Sequence, residues 1–324
     1  MAERRTAAQW SRGVGDGTRA ALGGCMCQPR LTLPNAFYLI TRICAQREFL
    51  LRPDRETINN FLYCLIVAAE KYGIDILGSM AESNHHHTVI FDRHGNVSLF
   101  MHHFHRLLAR CQNVLRGRCE NLWAAEEPCV TRLLEPETVV AKLVYTAANP
   151  VKDYLVSRAV QWPGVNTYKQ LKAGKPLRAR RPRFYFAADG DMPAEVTRPL
   201  TIPPELGPRD QVIAAVVAGV EEVERAARAG LSKSGERVVG RRGILRQSWR
   251  ARPSSPRPVR HLRPRFAGKE SVRRLALAGY RDFLSAYRAA RRAWLAGIDV
   301  IFPAGTYQLA RFAPIRVAPL ISTG

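Results

Sequence analysis

Seven of the chain's eight histidines fall between His85 and His105, and three of them, His85, His86 and His87, stand in a row within AESNHHHTVIFD. In an extended strand, side chains two apart share a face, so His85 and His87 project together while His86 points the other way. A pair of neutral imidazoles held like this is two-point ligation geometry for a divalent ion, and such an ion polarises a phosphoryl oxygen for attack. The same spacing is common among surface histidines, so the surroundings must decide. His86 is expected to face the packing of the sheet, and His94 falls in the turn DRHGN. His102, His103 and His105 sit at helical spacing, with His102 and His105 sharing a side as on an amphipathic surface. Trp123 is expected in the core.

The elements that must carry these residues follow from periodicity. NAFYLITRIC is rich in β-formers and predicts a strand. RETINNFLYCLIVAAEKYG places Ile58, Phe61, Leu62, Leu65 and Ala69 on one helical face, with Gly73 as its stop. IDILGSM and HHTVIF predict two more strands. VSLFMHHFHRLLARCQNVL returns to helical spacing through Leu99, Phe100, His103, Leu107, Cys111 and Leu115. A further helix over EPETVVAKLVYTAA should end before Pro150, since the residue preceding proline is pushed out of the helical region. The order strand, helix, strand, strand, helix, helix predicts an α+β fold, a small antiparallel sheet with helices on one face. A mostly helical extension follows, with helices over RDQVIAAVVAGVEEVERAARAG and KESVRRLALAGYRDFLSAYRAARRAWLAG and a short hairpin over IDVIFPAGTYQLARFAPIRVAP.

Charge divides the chain unevenly. Residues 31–165 hold 14 Lys and Arg against 13 Asp and Glu, whereas residues 166–324 hold 31 against 12. Residues 225–274 alone carry 16 basic side chains and two acidic ones. Arginine dominates that run, and its planar fork suits phosphate oxygens, which makes Arg241, Arg242, Arg246 and Arg250 candidate DNA-binding residues. Pro and Ser at 253–258 also fit a solvated linker, over about 233–268, and disordered basic arms bind DNA too. The expected organisation is a flexible leader over 1–30, a core domain over 31–165, a Pro- and aromatic-rich arm over 166–206, and a basic extension over 207–324. No run of about 18 apolar residues and no apolar-centred N-terminal segment occurs, so a cytoplasmic protein without a membrane partner is expected. Seven scattered cysteines, Cys25 and Cys27 among them, argue against a disulfide framework, and that pair has no second pair at zinc-site spacing.

Taken together, Ser83, Asn84, His85 and His87, followed by Tyr145, Asn149, Pro150 and Val151, resemble the paired motifs of the REP-associated tyrosine transposases. These are relatives of the single-tyrosine insertion-sequence transposases within the HUH endonuclease superfamily. The resemblance covers roughly residues 31–165, and RRPRFYFAADGDMP with FPAGTYQLARFAP is similar to a long-form subgroup. It implies a ferredoxin-like HUH fold and a Mg²⁺ or Mn²⁺ ion on His85 and His87. It also implies a tyrosine hydroxyl that attacks single-stranded or hairpin DNA to leave a phosphotyrosine link and a free hydroxyl. The partner would be DNA in the nucleoid, and a homodimer stays open. By the resemblance the nucleophile belongs near Thr138 and a third ligand near Lys142, yet Glu137, Thr138, Val139 and Val140 include no tyrosine and an ammonium cannot bind metal. Tyr145 is the candidate for a displaced nucleophile, against its reading as a core tyrosine. Weak or absent cleavage is therefore expected. Three classes stand open: an active metal-dependent nuclease and strand transferase, a non-catalytic DNA-binding descendant, and a basic RNA-binding or structural protein. The discriminator is whether a tyrosine hydroxyl approaches the histidine pair.

Overall fold

The computed structural model describes residues 29–255 and 264–319. The expected leader up to residue 28, with Cys25 and Cys27, and residues 256–263 of the expected linker lie outside the described residues. Pro34–Arg273 form one compact unit, and the residues on either side of it, described over 29–33 and 274–319, form the other. No helix among the described residues is long and apolar enough to cross a membrane.

The larger unit is α+β. Strands β1 (Ala36–Ile43), β2 (Ile74–Ala81), β3 (His85–Asp92) and β4 (Cys129–Leu133) are antiparallel, in the order β2-β3-β1-β4, and a two-residue edge strand described below completes the sheet. Register pairs Thr41 with His87 and Ile43 with His85, so the histidine run begins where β3 leaves its tight turn from β2. Helix α1 (Arg55–Tyr72) starts at Asp54, whose side chain accepts from the Thr57 N–H, and ends at Gly73 with φ of 64°, a left-handed turn that glycine adopts without a Cβ penalty. Helix α2 is Val97–Arg116, and α3 is Pro136–Lys152.

Strand β3 is buried along nearly its whole length, which requires cover on both faces of the sheet. The His86 ring meets Phe61 of α1 and Phe104 of α2, at centroid distances of 5.5 Å each. The His87 ring, on the opposite face, meets Tyr145 of α3 at 5.0 Å. The expected placement of helices on one face thus holds for α1 and α2, and α3 covers the other. Gly78 of β2 permits this cover: a Cβ there would lie 3.0 Å from Leu143 Cδ2.

Three local expectations change. Strand β4 was not anticipated, because CVTRL is short and only partly buried. Helix α3 runs through Pro150 to Lys152. Proline there removes one bond in the last turn only, and Asn149 is held in place by its side-chain bond to buried Glu82 (2.7 Å) and by the Asp153 N–H on its carbonyl (3.1 Å). Beyond α3, helix α4 (Tyr168–Ala173) leads to a hairpin of β5 (Leu177–Arg180) and β6 (Glu195–Arg198) in the expected extended arm. Helix α5 (Arg209–Ser234) packs on α3. Within the stretch expected as a linker, Gly240–Arg246 form helix α6 with Ile244 fully buried. Further on, Phe266–Ala267 form strand β7, the sheet edge noted above, parallel to β4.

The smaller unit contains most of α7 (Glu270–Leu295), with β8 (Ile301–Phe302), α8 (Gln308–Phe312) and β9 (Arg316–Val317). Trp294, Phe302, Leu309 and Ala313 form its apolar cluster. The expected terminal hairpin is instead a parallel pair, Ile301 opposite Arg316, because α8 carries the chain back before it pairs.

Candidate active site

Three elements converge where β3 begins. The turn Glu82-Ser83-Asn84 is fixed from both sides: the Glu82 N–H donates to the His85 carbonyl (2.9 Å), and Cys44 and Leu51 donate to the carbonyls of Asn84 and Ser83 (2.7 and 2.8 Å). WPGV, residues 162–165, braces the same turn, since Trp162 Nε1 donates to the Ala81 carbonyl (3.0 Å) and Ala81 N–H to the Val165 carbonyl (2.9 Å). The histidines therefore stand on rigid backbone.

His85 and His87 share a face, their ring centroids 4.9 Å apart. His85 Nδ1 lies 2.7 Å from Asn84 Oδ1, an acceptor, so that nitrogen carries the hydrogen and Nε2 keeps a lone pair. His87 Nδ1 bonds Thr41 Oγ1 at 2.8 Å, and its Nε2 lies 3.4 Å from the Tyr145 hydroxyl. Burial holds His85 down to about 4, with Asp153 opposing and Arg47 adding to the effect. His87 is held well below the usual histidine range by burial, then by His85, His86 and Lys142. Both rings are neutral near pH 7, the form that donates a lone pair.

Acidic and basic groups surround them. Glu82 is 5 % exposed, and burial lifts its carboxyl to about 7 against the hydrogen bond from Asn149. Burial, then Glu82, raises Asp153. Burial, then Asp153 and Glu82, raises the Tyr145 phenol, which stays protonated at neutral pH. Lys142 and Lys152 place their ammonium groups 5.5 and 5.1 Å from the Tyr145 ring. Lys142, expected where a third ligand belongs, is therefore a cation beside the phenol.

Tyr145 and His87 stand at the junction of two clefts. One, of about 1090 Å³, also takes in Glu82, His85, Asp153 and residues 251–255; the other, of about 360 Å³, also takes in Arg42, Lys142 and Cys129. Thr138, in the first turn of α3, lines neither. The hydroxyl that meets the pair belongs to Tyr145, not to a residue near Thr138. The Tyr145 side chain is only partly buried and borders both clefts.

The wall opposite the histidines comes from the basic stretch. Arg52 donates to the carbonyls of Gln247 (2.7 Å) and Leu245 (2.5 Å), Phe49 N–H to the Ala251 carbonyl (2.9 Å), and Arg47 to Ser255 (2.8 and 3.0 Å). Arg241, Arg242, Arg246 and Arg250 are all exposed, and the Arg250 guanidinium lies 4.9 Å from the Trp249 ring. None of the four lines either cleft; they are sequence neighbours of Ile244, Gln247 and Ala251, which line the larger one.

The remaining histidines separate from the site. His86 is fully buried, with Nε2 3.0 Å from His105 Nε2. Arg42 can only donate, so His105 Nδ1 accepts from it (3.1 Å), His105 Nε2–H donates to His86, and His86 Nδ1–H donates to Thr88 Oγ1 (3.1 Å). His105 thus leaves the surface expected for it, while His102 is exposed. Trp123 is in the core and donates to the His105 carbonyl (2.9 Å). Glu82 and Asp153 were not singled out from the sequence. The only signal for Glu82 was its position one turn before the histidine run.

The donor set suits a divalent ion in kind: two neutral imidazoles facing one cleft. Among the described residues no group of three or more His, Cys, Asp or Glu side chains is arranged to hold a metal, so His85 and His87 would act as a two-residue site completed by water or phosphate oxygens. The Nε2 lone pair of His87 serves either the phenol hydrogen or an ion, not both.

No family model and no curated protein matches the chain. Among solved structures, a REP-associated tyrosine transposase bound to a REP hairpin is similar at 16 % identity over 52 % of this chain and 96 % of that one, with a TM-score of 0.39.

Proposed function

We propose that this chain is a transposase-like protein that binds single-stranded or hairpin DNA and breaks and rejoins it through Tyr145. The observation that carries the reading is the Tyr145 hydroxyl, 3.4 Å from His87 Nε2 in an open cleft beside His85. Of the three classes left open by the sequence, this proximity favours the active enzyme.

In this reading Tyr145 Oη attacks a backbone phosphorus, the phosphorus–oxygen bond of the strand breaks, and one strand end stays on the tyrosine while the other leaves with a hydroxyl. Net, the proton lost by the phenol is gained by the departing oxygen. A second strand's hydroxyl then attacks the phosphotyrosine and frees the phenol, so the bond count is conserved without ATP. His87 orients the phenol through their hydrogen bond, and Lys142 and Lys152 stabilise negative charge as it develops on the ring oxygen. A Mg²⁺ or Mn²⁺ ion held by His85 and His87 would withdraw charge from the phosphate; it would take the Nε2 lone pair of His87, so the hydrogen bond to the phenol belongs to the ion-free site. The exposed arginines 241, 242, 246 and 250 would hold flanking phosphates beside the large cleft. Such work belongs with DNA in the cytoplasm.

The test is to incubate the full chain with end-labelled hairpin and single-stranded DNA in Mn²⁺ and in Mg²⁺, and to resolve products on a denaturing gel. A covalent adduct mapped to Tyr145 by mass spectrometry, lost in Tyr145→Phe and retained in Thr138→Ala, is the expected result. DNA binding with no adduct under either ion would overturn catalysis and leave a DNA-binding descendant.

A further inference from the structure

Helix α7 is amphipathic in an unusual sense. Its buried side carries Tyr280, Phe283, Leu284 and Trp294, and the Tyr280 hydroxyl donates to the Pro29 carbonyl at 3.1 Å. On the outer side, Arg281, Arg288 and Arg292 are exposed; in the same row exposed Ser285 lies between the first two and exposed Ala278 one turn before Arg281. At 3.6 residues per turn these five positions stay within an arc of about 80°, and the arginines, seven and then four residues apart, are separated by roughly 10 Å and 6 Å along the axis. Small side chains in the row leave a low ridge from which the guanidinium groups stand out. Glu270 shares this arc but sits in the first turn, roughly 16 Å along the axis before Arg281, and Asp282 lies about 40° outside the arc.

From this surface we infer that α7 docks along the phosphate backbone of a double-stranded DNA stem. Three arginines in one row, with a small residue that allows close approach between the first two, complement a line of phosphates. An anionic membrane fits poorly, because a helix that lies on lipid must offer its apolar face, and Tyr280, Phe283, Leu284 and Trp294 on that face of α7 are buried. The inference rests on the reading of the chain as DNA-binding, and it adds a second contact, made through the stem of a folded strand and not through the cleft.

The experiment compares a fluorescein-labelled DNA hairpin with an unstructured strand of equal length, by anisotropy over a range of salt, using the full chain with Tyr145→Phe to hold binding apart from chemistry. Arg281→Gln with Arg288→Gln and Arg292→Gln should weaken hairpin binding about tenfold or more and lower the logarithmic salt slope by roughly two to three. Binding of the unstructured strand should change little. Arg→Lys at the three positions should keep most of the slope. Ala278→Glu with Ser285→Glu, which leaves every arginine in place, should weaken hairpin binding as well and serves if the glutamine variant fails to fold. Unchanged hairpin affinity and slope in either folded variant would overturn the inference, as would equal losses for both DNAs or a loss confined to phosphatidylserine vesicles. Failure of the catalytic reading has a different mark: no Tyr145 adduct in the otherwise wild-type chain, with the α7 effect intact.

Discussion

The two faces of β3 receive the same residue type from adjacent positions and put it to opposite uses. On the α1–α2 face, His86 is fully buried in a directional chain of hydrogen bonds from Arg42 through His105 to Thr88, which continues from Thr88 to Ser79 at 2.8 Å. On the α3 face, His85 and His87 border a cleft with a phenol, two carboxyls and two ammonium groups. The first arrangement satisfies every ring nitrogen and leaves nothing to donate to a ligand. The second keeps a lone pair on His85 Nε2 and a partly exposed tyrosine, and it stays open to solvent. A histidine's role here is decided by which face it takes and by whether that face closes.

The widest separation between the faces should appear in stability. His86→Ala removes a buried ring and leaves the His105 Nε2–H without its acceptor, at a cost of about 3 kcal/mol. His87→Ala, at the cleft, should cost about 1 kcal/mol and yet abolish the covalent DNA adduct. Urea unfolding of both variants beside adduct assays checks the pair, and equal destabilisation would erase the distinction drawn between the faces.

A smaller effect concerns the wall of the open face. Arg241→Ala, Arg242→Ala, Arg246→Ala and Arg250→Ala together should weaken DNA binding roughly tenfold to a hundredfold at moderate salt and flatten the salt slope, since each phosphate contact releases counterions. Filter binding at several salt concentrations measures this, and an unchanged slope would make the segment a wall of the cleft and nothing more.

The closed face also has a pH signature. Burial pushes the Asp54 carboxyl up, but bonds from Arg116 (2.5 Å) and the Thr57 N–H (2.8 Å) outweigh it and hold the group below its ordinary value of 3.8. A depressed folded value means stability present above pH about 3.8 and lost as pH falls through the lower folded value. Asp54→Asn should therefore cost about 1 kcal/mol at pH 7, and that difference should shrink in acid. Thermal melts across that range would show it, and a constant difference would mean the charge contributes nothing.

Much of this was legible in the chain. Alternation along HHTVIF separated His86 from its neighbours, helical spacing placed α1 and α2, and Gly73 marked a stop, because each depends on backbone geometry repeated over a few residues. Composition located the arginine-rich wall. The motif around Asn149 named Tyr145 as a candidate, and it is Tyr145, not a residue near Thr138, whose hydroxyl lies beside His87.

Tertiary structure decided the rest, for reasons of distance. Which face of the sheet α3 covers is settled by packing between residues far apart in sequence, such as Gly78 against Leu143. That choice brings Tyr145 to His87 and makes the site. The buried carboxyl of Glu82 finds its hydrogen-bond donor in Asn149, 67 residues away. His105 left the surface because Arg42 and His86 both needed a partner in the core. Local patterns determine which way a side chain points; only the packing of distant segments determines what it meets there, and reactivity in this molecule follows from what is met.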